Sequence, residues 1–112
     1  MKNILPLSLD RKLTVIIRVE PACLGPNGYD HIEKFCSVTQ IKIEPIDSAF
    51  INWEIVPRFD KSLPEIQYKV TNKILTHEQA AKYLALFSKR LDAFEGYLNE
   101  KLAILIDQHL GH

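Results

Sequence analysis

The chain has 112 residues, 46% of them hydrophobic and 25% charged, enough for one domain with a core of its own. Fourteen Lys and Arg balance fourteen Asp and Glu, which removes any general electrostatic pull toward nucleic acid or an anionic membrane. No apolar run reaches membrane-spanning length, and two cysteines, Cys23 and Cys36, are too few for a disulfide framework.

The opening MKNILPLSLDRK is too short, and too interrupted by Pro6, for an export signal, and no N-x-S/T acceptor occurs. The expectation is a cytoplasmic protein with reduced thiols. It forms a single domain over residues 1–112, with residues 1–10 as a loose arm. From Arg11 to Glu20 the β-branched residues are dense, and Leu13, Val15, Ile17 and Val19 share one face at period two. This predicts a strand, ended by Pro21, which has no N–H to donate.

A helix is expected from about Asn27 to Ile41. Asn27 can cap it, Asp30 and Glu33 suit its first turn, and Ile32, Phe35, Cys36, Thr39 and Ile43 form its buried stripe. Two alternating runs follow. Ile51, Trp53 and Ile55 oppose Asn52 and Glu54; Ile66, Tyr68, Val70 and Ile74 oppose Gln67, Lys69, Thr71 and Lys73. Joined through the polar RFDKSLP, they read as an antiparallel hairpin.

The last third is one helical signal. Thr76 and Gln79 make a capping box. Apolar residues recur at Ala80, Leu84, Phe87, Leu91, Phe94, Leu98, Leu102 and Leu105, near a heptad seam, with Gly96 as the weak point. A helix from His77 to about Leu110 would be about 50 Å long at 1.5 Å per residue, longer than the roughly 35 Å breadth of a compact domain this size. Its second half then needs a partner, so Leu98, Leu102 and Leu105 are expected at a homodimer interface. The competing arrangement is a fold-back near Gly96. The fold class that results is α+β: β-α-β-β-α, with a three-stranded, mainly antiparallel sheet, two helices on one face and a long C-terminal helix.

For chemistry, the junction RVEPACLGPNGYDHIEKFC places Cys23 between strand and helix. A thiol there can be activated by a helix N-terminus, with His31 as a base, which gives the alternative of a thiol-dependent enzyme. The constellation is incomplete. The sixth position after Cys23 is Tyr29 rather than the arginine of a phosphatase loop, Gly28 precedes Tyr29 rather than Lys, and Pro26 stands where a second redox cysteine belongs. The plainer reading is a stiff corner made by Pro21, Gly25, Pro26 and Gly28. Asp107, His109 and His112 are close in sequence but do not make a convergent ligand set, so no metal and no cofactor are expected. A pocket between sheet and long helix would be lined by Trp53, Tyr68 and Phe87. The function expected is a small binding or assembly protein acting as a homodimer, with no catalytic constellation and with a small molecule or protein as a possible further partner.

Overall fold

The β-branched run Leu13–Val19 forms strand β1 at the centre of the sheet. The computed structural model describes residues 5–111. After β1 come helix α1 (Gly28–Ile43), strands β2 (Ile51–Pro57), β3 (Ile66–Val70) and β4 (Lys73–Ile74), and helices α2 (His77–Ala85) and α3 (Leu91–Leu110). The chain is α+β, with a four-stranded mixed sheet in the order β2-β1-β3-β4.

The hairpin expected between β2 and β3 does not form. Strand β2 runs parallel to β1, in register from Leu13 opposite Ile51 to Val19 opposite Pro57. Strand β3 lies on the other side of β1 and is antiparallel to it, with Val15 opposite Tyr68. Residues 51–57 and 66–70 alternate as expected, but alternation fixes a buried face and not a neighbour. The unit Leu13–Pro57 is a β-α-β crossover, the connection that parallel neighbours require. Loop 58–65 then passes over the end of β1. Arg58 organises it, pairing with Glu20 at 2.6 Å and donating from Nε to the Leu63 carbonyl at 3.0 Å. Arg18 donates to the Pro64 carbonyl at 2.9 Å and to Gln67 Oε1 at 2.8 Å.

The second alternating run also folds back on itself. Thr71 adopts φ 57°, and Val70 pairs with Lys73, so Ile74 is turned onto β4 and is half exposed. In the described part of the N-terminal arm, Leu7 is buried, and its amide donates to the Ala49 carbonyl at 2.8 Å. The rest of the expected arm, residues 1–4, lies outside the described residues.

The apolar face of the sheet carries Leu13, Val15, Ile17, Ile51, Trp53, Ile55 and Tyr68, all buried. The predicted stripe of α1, Ile32, Phe35, Cys36, Thr39 and Ile43, is buried against it. Helices α1 and α3 lie antiparallel on this face, with His31 near the start of α1 beside His109 near the end of α3. Trp53 stacks on Phe94 with ring centroids 5.9 Å apart.

The C-terminal signal is two helices, not one. The capping box at Thr76 and Gln79 is present, and the break falls at Ser88 rather than Gly96. Ser88 takes φ 62°. Its amide donates to Ala85 at 3.1 Å, and the Lys89 amide reaches back to Leu84 at 3.0 Å. This pair of bonds around a left-handed residue is the Schellman ending of a helix. Phe87 leaves the helix to stack on Phe50, centroids 4.3 Å apart and planes within 2°.

Candidate functional site

The corner after β1 is built by packing. Gly25 takes φ 89°, in the left-handed region that suits glycine. Gly28 has a different reason: a Cβ there would sit 1.7 Å from the Pro21 carbonyl oxygen, so only glycine lets α1 start so close to the preceding turn. Cys23 is exposed on a 3-10 turn, Pro21–Leu24. It borders a small hollow of about 120 Å³ with Arg18, Glu20, Glu65 and Asn99 among its lining. His31 does not line that hollow; its ring packs against His109 at a centroid distance of 5.7 Å. The thiol and the histidine that sequence spacing offered as its base thus line different hollows. Cys36 is in the core, where burial first and Glu33 second push its thiol up to about 11.

Of the aromatic trio, Trp53 and Tyr68 are buried in the core, and Phe87 is partly buried beside a hollow lined by Leu7, Arg11, Val70 and Tyr83. Trp53 is buried and donates from Nε1 to the Ile46 carbonyl at 2.8 Å. Tyr68 is buried with its hydroxyl donating to Glu95 Oε2 at 2.6 Å, and His77 Nε2 lies 3.1 Å from the same oxygen. Burial, reinforced by Glu95, holds the Tyr68 hydroxyl protonated well beyond its ordinary range. Phe87 is at the far end, in the stack on Phe50. Nothing in the residue spacing marked Glu95, which follows Phe94 at the border of the apolar stripe.

The leucine seam follows the predicted face. Leu98 and Leu105 are buried in the chain's own core, and Leu102 packs against it partly exposed. Ending α2 at Ala85 leaves α3 about 30 Å long at 1.5 Å per residue, within the roughly 35 Å breadth of a compact domain this size. The apolar side chains left outward on α3 are others: Tyr97 at 50% and Ile104 at 53% exposure, with Val38 and Ile41 outward on α1.

Between α1 and α3 runs a furrow enclosing about 270 Å³. Phe35, Val38 and Leu105 supply its apolar floor, and His31, Lys34, Lys42 and His109 stand along its rim. His112, the other histidine of the C-terminal group, lies outside the described residues.

Both edges of the sheet are blunted, one by shortness and one by a side chain. Strand β4 has only two residues. On β2, the Gln40 side chain takes the place of a neighbouring strand: its Nε2 donates to the Trp53 carbonyl at 2.7 Å, and its Oε1 accepts from the Ile55 amide at 2.9 Å. Pro57 has no N–H to offer at the end of the same edge. Covering an edge this way is how sheets avoid pairing with another chain. Comparison with protein-family models, with curated proteins and with solved structures returns no match.

Proposed function

We propose that the protein is a small cytoplasmic binding or assembly module that pairs with a second copy of itself through α3. The observation that carries this is the outward stripe of that helix. Ala93, Tyr97, Glu100, Lys101, Ile104 and Gln108 recur at helical spacing, with Tyr97 and Ile104 half exposed. The stripe is complementary to itself reversed. When two copies of α3 cross antiparallel with the two-fold axis between positions 100 and 101, Tyr97 meets the second copy's Ile104 and Glu100 meets its Lys101. A two-fold contact needs that reciprocity. The covered edge of β2 and the shortness of β4 favour the helical layer over strand addition as the route to assembly.

The residues carrying the contact are therefore Tyr97 and Ile104 instead of the buried Leu98 and Leu105. Sedimentation at low salt tests it. The wild type is expected to be a dimer at tens of micromolar. Tyr97→Glu with Ile104→Glu should give a folded monomer, because neither side chain belongs to the core. Glu100→Lys and Lys101→Glu should each weaken association by about tenfold, a change of about 1.4 kcal/mol, by setting like charges opposite one another twice. Combining the two reversals restores the pairing. A wild type that stays monomeric at several hundred micromolar, or a double reversal no better than the single ones, rejects the proposal.

A further inference from the structure

From the α1–α3 furrow we infer a binding site for a small amphipathic carboxylate, a ligand with an apolar body and one anionic head. Two features of the furrow carry this. The first is charge. The chain as a whole is neutral, with fourteen bases and fourteen acids, yet no carboxylate lines the furrow while two lysines and two histidines do. Among the described residues neither Lys34 nor Lys42 has a carboxylate within 4 Å, which leaves both ammonium groups free to meet a ligand. The second is shape. The floor of Phe35, Val38 and Leu105 is apolar, and a volume of about 270 Å³ is near the lower end of the roughly 300–1,000 Å³ of small-molecule sites. Inorganic anions would leave that floor bare, and a neutral apolar molecule would leave the cations unpaired.

The ends of the furrow differ, and this orients the ligand. His31, Lys34 and His109 cluster near one end; His109 packs edge-on against Phe35 with centroids 5.4 Å apart. An imidazole donates one hydrogen bond in either neutral tautomer and Lys donates up to three, so this end suits the carboxylate. Lys42 is about 12 Å farther along α1 at 1.5 Å per residue, and its aliphatic stem can cover the tail.

Of the residues lining the furrow, Gln108 alone also belongs to the outward stripe of α3, so the site does not need that pairing. Titration is therefore followed by amide NMR on both the wild type and the Tyr97→Glu/Ile104→Glu variant, and loss of pairing should leave binding intact. Octanoate is the probe, with octan-1-ol and inorganic phosphate as the apolar and anionic controls. Octanoate is expected to bind in the millimolar range or tighter, moving resonances of residues 31–42 and 105–109. Both controls, and octanoate with Lys34→Gln, should bind about tenfold more weakly or worse. Octan-1-ol matching octanoate would reduce the furrow to an apolar crevice, and phosphate matching it would reduce the furrow to a patch of charge. An unchanged Lys34→Gln variant, or resonances moving elsewhere, would also overturn the assignment.

Discussion

Gln40 makes the sharpest claim about stability. Its amide bridges the Trp53 carbonyl and the Ile55 amide, at 2.7 and 2.9 Å, on the edge of β2 turned away from β1. Gln40→Ala removes both partners at once, and α1 still lies over that edge. A hydrogen bond of this kind contributes about 1 kcal/mol net, and an unsatisfied backbone group costs about 1–3 kcal/mol. The expected loss is therefore about 2 kcal/mol, which is about 8 °C in Tm for a domain of this size. Gln40→Glu should be no better. Its carboxylate still accepts from Ile55 but meets the Trp53 carbonyl oxygen to oxygen, and Glu44 is already within hydrogen-bond reach of position 40, at 3.1 Å. Urea unfolding with an unchanged m-value measures the loss, and hydrogen exchange at the Ile55 amide locates it. A loss below about 0.5 kcal/mol, with Ile55 exchanging as before, would mean that water serves the edge as well as Gln40 does. An uncovered β2 should also make the variant more prone to concentration-dependent association.

Three further outcomes follow from particular positions. Gly28→Ala should cost at least about 1–3 kcal/mol in thermal or chemical unfolding, since its Cβ would overlap the Pro21 carbonyl and the turn must move. Gly96→Ala, with nothing within 4 Å of the new Cβ inside a helix, should instead stabilise by about 0.5–1 kcal/mol. In alkali, Cys36 and Tyr68 should both destabilise the fold. Each holds its proton more tightly when folded, so each contribution is complete below the ordinary pKa, near 9 for Cys36 and 10 for Tyr68, and is lost as pH rises beyond it. Cys36 acts between about 9 and 11, and each group steepens the fall by at most about 1.4 kcal/mol per pH unit. Urea unfolding across pH 8–12 should show a flatter profile for Cys36→Ala and Tyr68→Phe.

Periodicity carried most of the core. The buried face of α1 and the alternation of β2 follow directly from residue spacing, because burial is what periodicity encodes, whereas central β1 is buried at Thr14 and Ile16 as well. Pairing is a different quantity. Whether β2 meets β3 or β1 depends on loop 58–65 being long enough to pass the end of β1, and on Arg18 and Arg58 holding it there. The candidate site was less visible still. The furrow exists because two helices far apart in sequence run antiparallel, bringing Lys34 and His31 beside His109. The sequence did place Cys23 and His31 near one another, but Cys23 lines the hollow beside Arg18 and Asn99 and His31 lines the furrow.

The hidden break before α3 has a physical cause that can be tested at one residue. Helix C-termini of the Schellman type are usually legible because glycine marks the left-handed position. Here that position is Ser88, at φ 62°, so the apolar seam runs through the break without punctuation. The local chain did not choose this conformation cheaply, since an L-residue in the left-handed region costs about 1–2 kcal/mol. The stack of Phe87 on Phe50 and the return of Leu91, Phe94 and Leu98 to the sheet face offset that cost. Ser88→Gly should therefore stabilise the protein by about 0.5–1 kcal/mol, the relief of strain less the added freedom of the unfolded chain. Ser88 is exposed and its side chain makes no hydrogen bond among the described residues, so little else is lost. Ser88→Ala should change stability by less than about 0.5 kcal/mol, because alanine meets the same backbone strain. If glycine destabilises instead, the helix does not end through a strained serine, and one continuous helix from Thr76, with its seam open to a partner, returns as the better description.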